Sequence, residues 1–314
     1  MLAQAPKQAP PAKAQAPKAA PAKPPGNFGG AEPNTEAIFS FDVTRVNILY
    51  TVSDKKGRFV TDLSKEDFDI VENKKKQNIL EFTAETELPL RLAILVDTSN
   101  SIRDRFRFIQ EAATDFINTA MRTQDKGIIV SFDTSAELAA DLTADKAILE
   151  RAVRNLRPGG GTALYDAIFF ACRDKLMQDQ PRDKFRRAVV ILSDGEDNQS
   201  HYTREQALEM AQKADVVVYA ISTNISHTAM EGDKVLRRLA EQTGGLAFFP
   251  FKAQDLSQSF ENVANELRHQ YNVFYRPEPL NQDGLYHNVD IKVRDRKDLV
   301  VRARRGYYAP LAAR

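Results

Sequence analysis

Leu92-Ala93-Ile94-Leu95-Val96-Asp97-Thr98-Ser99-Asn100-Ser101 changes character at its midpoint. Five successive apolar residues suit a strand covered on both faces. The five that follow are a carboxylate, three hydroxyls and an amide, and none of them continues a buried strand. Helical periodicity begins at once, with Phe106, Ile109, Ala113, Phe116, Ile117 and Ala120 on one face of the stretch Ile102 to Met121. Strand, polar loop, helix is the opening unit of an alternating fold.

The alternation continues downstream. Ile128 to Phe132, Leu138 to Leu142, Ala188 to Leu192, Val216 to Ile221 and Ala247 to Phe249 read as strands. Helical patterns occupy 145–156, 163–177, 203–214, 233–243 and 255–269. Residues 88–269 are therefore predicted to form a doubly wound α/β layer, a mainly parallel sheet with helices on both faces.

The flanks have a different period. Phe41 and Val43, then Val46, Ile48, Tyr50 and Val52, alternate with polar residues, and Phe59-Val60, Phe68 to Val71 and Ile79 to Phe82 add short strands. Glu72-Asn73-Lys74 reads as a turn. At the far end Tyr271, Val273 and Tyr275 alternate, as do Val289, Ile291 and Val293, before a last run from Leu299 to Tyr308. Neither flank has enough strands to stand alone. Residues 38–87 and 270–309 are predicted to pair into one small all-β sandwich, with the α/β layer as an insertion. Residues 1–37, rich in Pro, Ala, Lys and Gln, are predicted to be disordered, read equally as a semi-rigid tether or as a tail without consequence.

Ligands in open α/β sheets bind beyond the carboxyl ends of the strands. Asp97, Ser99 and Ser101 alternate in the first such loop, Asp194 follows Ser193 after the strand ending at Leu192, and Thr162 closes the glycine loop Gly159-Gly160-Gly161. Oxygen donors without His or Cys suit a hard cation: Mg²⁺ first, with Mn²⁺ and Ca²⁺ as further fits. Asp166, one helical turn past Thr162, is placed either behind these donors or on the surface. Asn100, Ile102, Arg103, Tyr165 and Tyr202 are placed at the rim.

Asp-x-Ser-x-Ser at 97–101, a glycine loop ending in Thr162, and Asp194 in Ser-Asp-Gly together resemble the metal-ion-dependent adhesion site of the von Willebrand factor A family. The resemblance covers residues 88–269. It implies that Ser99, Ser101 and Thr162 contribute hydroxyls, that Asp97 and Asp194 act directly or through water, and that a partner's Asp or Glu completes the metal shell. It also implies that Thr162 serves the partner-bound state. Asp67-Phe-Asp-Ile-Val-Glu-Asn73 and Arg304-Arg-Gly-Tyr-Tyr-Ala309 resemble segments of a bacterial, exported group related to that family.

Other classes find less support. Lys and Arg number 44 against 43 Asp and Glu, which gives no electrostatic reason to expect nucleic acid. No apolar run reaches the roughly 18 residues of a membrane span. The glycine loop lacks the Lys of a phosphate-binding loop, there is no Gly-x-Ser-x-Gly, and His201, His227, His269 and His287 share no ligand spacing. Cys172, the sole cysteine, reads as a small buried hydrophobe. The expected function is a non-enzymatic, metal-dependent protein-binding module for adhesion or scaffolding. The alternatives are a metal-dependent hydrolase and a structural module with an inert metal. Ala-Gln-Ala-Pro near the start suits a mature N-terminus left by cleavage, so a periplasmic or secreted location is expected, while cysteine usage leaves the compartment open.

Overall fold

The computed structural model describes residues 45–84, 88–181, 184–224, 230–250, 254–280 and 282–310. The expected tether, Phe41, Val43 and His227 lie outside them. The first strands are β1 (Val46–Asp54), β2 (Phe68–Glu72), β3 (Lys75–Gln77) and β4 (Ile79–Thr83). The middle of the chain then runs β5 (Leu90–Asp97), α1 (Phe106–Ala120), β6 (Lys126–Phe132), β7 (Ala136–Thr143), α2 (Lys146–Asn155), α3 (Leu164–Phe170), β8 (Arg186–Ser193), α4 (Arg204–Lys213), β9 (Val216–Ser222), α5 (Glu231–Thr243), β10 (Ala247–Phe248) and α6 (Gln254–Arg268). Four strands close the fold: β11 (Tyr271–Tyr275), β12 (Tyr286–Val293), β13 (Leu299–Ala303) and β14 (Gly306–Tyr308).

The middle elements build one sheet of order β10-β9-β8-β5-β6-β7, parallel except for β7, which runs antiparallel along β6 at the edge. Every residue of β5, β8 and β9 is buried, as their unbroken apolar runs require. On one face Leu92, Ile94 and Val96 pack with α1, α2 and α6; on the other Ala93 and Leu95 pack with α3, α4 and α5. The chain leaves β5 for β6 on one side and later returns to β8 on the other. The switch point therefore lies at the carboxyl end of β5.

Helical periodicity foresaw the helices but not their irregular ends. The first begins as a 3₁₀ segment, Asn100–Arg105, and the helix expected over 163–177 is α-helical only through α3, after which Ala171–Leu176 widens into a π-helical segment. Cys172 lies in that segment, fully buried, and burial pushes its thiol pKa upward.

The flanking strands form two four-stranded sheets, β13-β1-β11-β4 and β14-β12-β2-β3, between which the α/β layer is inserted after β4 and before β11. Their shared core holds Val46, Ile48, Tyr50, Phe68, Ile70, Tyr271 and Val273. Two details depart from the sequence reading. Phe59 makes only an isolated bridge with Ser53, not a strand, and the Glu72-Asn73-Lys74 turn leads into β3, with Asn73 and Lys74 both at positive φ (46° and 69°). Positive φ at both central residues is the hairpin geometry that matches strand twist.

The insertion is fastened at its base by buried polar contacts. Glu266 near the end of α6 accepts from Thr51 Oγ1 on β1 at 2.8 Å and from Arg302 on β13 at 3.0 Å. Arg268 pairs with the fully buried Asp125, which also accepts from the Leu90 amide at 2.8 Å. Burial raises the Glu266 pKa, with Arg302 and Thr51 opposing it. Glu266→Ala leaves two donors without their acceptor, so we expect a loss of about 3 kcal/mol, with Glu266→Gln losing less because its amide oxygen still accepts. Urea unfolding measures both, and equal losses for Ala and Gln would count against the buried bonds as the cause.

Candidate metal centre

β5 and β8 are covered on both faces; their buried arginines, Arg91, Arg186 and Arg187, sit at the amino ends, and the carboxyl ends carry Asp97 and Ser193. Asp97, which ends β5, has no exposed surface. Its Oδ1 accepts from the Ser99 amide at 2.8 Å, and its Oδ2 accepts from Ser193 Oγ at 2.6 Å. Ser193 ends β8 and itself accepts from the Gly195 amide at 3.0 Å. Ser101 Oγ donates to Asp194 Oδ2 at 2.7 Å, and Ser99 Oγ lies 2.9 Å from Ser101 Oγ. Since the Ser101 proton points at Asp194, Ser99 is the donor to Ser101. Four of the five sequence-predicted donors thus lie in one bonded cluster.

Thr162 is tied by its backbone to the loop that follows Asp194 and is not bonded to that cluster. Its amide donates to Asn198 Oδ1 at 3.0 Å, and its carbonyl accepts from the amides of Asn198 and Gln199 at 2.9 and 3.0 Å, which ties the glycine loop to the loop after Asp194. The glycine loop is also tied to the loop after β5. The Gly159 amide donates to Thr98 O at 2.6 Å, and Gly160 O accepts from Asn100 Nδ2 at 3.1 Å. Gly160 adopts φ +74°, and an added Cβ would lie 2.7 Å from Thr134 Oγ1, so a side chain is excluded there.

Asp194 is pinned from the far side. A Cβ on Gly232, in the first turn of α5, would lie 2.1 Å from Asp194 O, so only glycine lets the helix come this close. Asp233 beside it accepts from Ser222 Oγ at 2.7 Å and from Asn224 Nδ2 at 3.2 Å.

The electrostatics follow from burial. Burial raises the Asp97 pKa to about 6; bonds from Ser193 and Ser99 work against this, and the Asp194 charge adds to it. The partners of Asp97 are hydroxyls and an amide, and among the described residues no cationic side chain bonds it or Asp194. Among the described residues no cluster of three or more His, Cys, Asp and Glu forms a ligand set. What the loops assemble is two carboxylates and several hydroxyls, and that donor set fits a hard divalent cation.

The rim departs from the sequence reading at one position. Ile102 is fully buried in the core below α1. Asn100 and Arg103 are exposed, with Arg103 donating to Asn100 Oδ1 at 3.1 Å. Tyr202 stacks on Phe169 with centroids 3.7 Å apart, and Tyr165 is half-buried. Asp166 is a loop clamp: it accepts from the amides of His201 and Tyr202, both at 2.9 Å, and from His201 Nδ1. Asp197 likewise accepts from the Tyr165 amide and Ser200 Oγ. Sequence reasoning passed over Ser193 and Asn198. Ser193 was visible as the polar residue that continues the buried strand Ala188 to Leu192.

Comparison with known proteins agrees with this layout. Residues 92–196 match the family model of the von Willebrand factor type A domain. The human von Willebrand factor A domain-containing protein 3B is 28% identical over 181 residues, 55% of this chain and 13% of that protein, so the chain spans a small part of this relative. Among solved structures, a von Willebrand factor type A protein from Catenulispora acidiphila superposes with a TM-score of 0.51 at 16% identity, covering 78% of this chain and 73% of its own. Proximal thread matrix protein 1 from the mussel byssus, in a structure described as having a zinc-occupied MIDAS motif, gives a TM-score of 0.50 at 21% identity, covering 61% and 48%. At these identities the structural matches speak for the fold alone.

The Asp97 environment has a pH signature. Its folded-state pKa lies above its unfolded value, so the metal-free fold binds this proton more tightly and gains stability as pH falls through 6. The gain amounts to about 1.5 kcal/mol at pH 5 relative to pH 8. Asp97→Asn should lose that component and be the more stable chain at pH 8. Denaturant melts of both proteins in chelator across pH 5 to 8 test this, and parallel stability curves would refute it.

Proposed function

The chain carries a von Willebrand factor type A domain, and from that premise we propose that it is a metal-dependent protein-binding module. In this reading Asp97, Ser99, Ser101, Thr162 and Asp194 hold Mg²⁺, with Mn²⁺ or Ca²⁺ as substitutes, and the partner presents an Asp or Glu side chain. Domains of this type are generally metal-dependent interaction modules. The single observation that carries the reading is the hydroxyl chain Ser99, Ser101, Asp194 beside the buried Asp97, a pair of carboxylates with only neutral donors around them. Such a pair repels itself unless a cation is shared.

When bound, the cation supplies an open position for a carboxylate oxygen of the partner. The chain's own residues do the rest. Ser193 and the Ser99 amide fix the orientation of Asp97. Asn198 fixes Thr162, and Gly232 backs Asp194. Asn100 and Arg103 stand exposed at the rim, where a second acidic group of the partner would meet the guanidinium. Adhesion or scaffolding is the role such capture serves. An extracytoplasmic location belongs to the same proposal, resting on the resemblance of the flanking segments to those of exported bacterial proteins.

Calorimetric titration of chelator-stripped protein with Mg²⁺, Mn²⁺, Ca²⁺ and Zn²⁺ should give one site per chain, abolished in Asp97→Ala with the fold retained. A wild type that binds none of them would end this reading. Thr162→Ala should lower metal affinity only modestly, because the loop after β5 alone supplies three donors, while lowering affinity for an immobilised acidic peptide much further. Equal losses in both would make Thr162 a permanent ligand like the others.

A further inference from the structure

Beside the metal centre one buried hydroxyl bonds no group among the described residues. Thr223 is 2% exposed, and its Oγ1 has no hydrogen-bond partner. Buried hydroxyls are nearly always satisfied, because an unpaired one forfeits its bonds to water. The neighbours of Thr223 on the same segment are all paired: Ser222 Oγ donates to Asp233 and accepts from the Asn224 amide at 3.1 Å, and Asn224 Nδ2 donates to Asp233.

The register says what this hydroxyl faces. Strands β8 and β9 are parallel, with Ser193 opposite Ser222, and the Thr223 amide continues the ladder by donating to Ser193 O at 3.0 Å. Thr223 therefore stands alongside Asp194, one strand spacing away, about 4.8 Å. Side chains alternate along both strands. Val217, Tyr219 and Ile221 share a core cluster with Val190 and Leu192, whereas Ser193 and Ser222 turn to the opposite face, towards Asp97 and Asp233. One residue further, Asp194 and Thr223 return together to the face of α1, where Asp194 meets Ser101. A hydroxyl and a carboxylate on one face, too far apart for a direct bond, are the arrangement that a bridging water completes.

We infer that Thr223 is a positioning residue of the metal centre, its hydroxyl oxygen accepting from a cation-bound water that also donates to Asp194. This rests on the metal reading above. It adds to that site the residue that directly follows β9, a strand that carries none of the five donors. It also gives the Thr223 hydroxyl a partner that the described residues do not supply.

The test uses the full chain and its Thr223→Val and Thr223→Ser variants, with Mg²⁺ as the probe. Val keeps the shape and removes the orphan, so in chelator its Tm should rise by roughly 2–4 °C. Its Mg²⁺ affinity by calorimetry should fall several-fold, up to about tenfold, the effect of one hydrogen bond. Ser should keep wild-type affinity. A residue of purely structural importance would show the reverse, a lower Tm in chelator with affinity unchanged. A Val variant that melts lower in chelator, or that binds Mg²⁺ as wild type does, overturns this inference alone. A wild type that binds no divalent cation overturns the metal reading and this inference with it.

Discussion

A carboxylate sits at the end of a strand that has no exposed surface, and much of the upper half of the molecule is arranged around it. Strand β5 is buried on both faces, so Asp97 cannot escape to solvent; its charge is met by Ser193, the Ser99 amide and nothing cationic. That one constraint accounts for the neighbouring loops. Ser193 must end β8 with its hydroxyl turned towards β5. Asp194 must lie close enough to share an ion but be braced so that repulsion does not spread the loops. The bracing is visible in the Gly232 contact and in the Asn198 to Thr162 bonds. These contacts oppose the mutual repulsion of the two carboxylates.

Most of this was legible in the residues. Five apolar positions followed by Asp97 mark a buried strand running into a polar loop, and the repeat of that pattern at Ala188 to Asp194 brings a second carboxylate to the same edge. Periodicity could not report what happens where helices begin or loosen. Ile102 directly follows the polar loop and reads as rim, yet the 3₁₀ segment turns it inward to full burial. The π-helical segment after α3 keeps an apolar pattern that an α-helix would show equally well.

The histidines show the same limit from another side. Sequence spacing offers no ligand set, and it cannot see that His287 on β12 is buried against Glu72 on β2, with Nδ1 2.7 Å from Oε1. Tyr275 and Tyr307 donate to the same carboxylate at 2.8 and 3.0 Å. Burial alone would lower the His287 pKa. Bonds to Glu72 and Asp283, and their charges, outweigh it and hold the pKa above its usual value. These partners are more than 200 residues apart in the chain and meet only because the two flanks share one sandwich. Non-local pairing of this kind has no local signature.

The choice of hydroxyls at the metal centre has its own logic. A hydroxyl is both donor and acceptor. Without a cation, Ser99 donates to Ser101 and Ser101 to Asp194, so the protons quiet the carboxylates. If a cation binds as proposed, the same oxygens would turn their lone pairs inward and their protons outward. An amide or a lysine in these places would serve one state and oppose the other. The site can therefore be folded and ordered before its ion arrives, which limits the reorganisation that binding requires. Thr223 is the exception that this logic isolates. Its buried Oγ1 bonds no group among the described residues, and it follows the neighbouring strand at the register of Asp194, where a hydration shell would reach it.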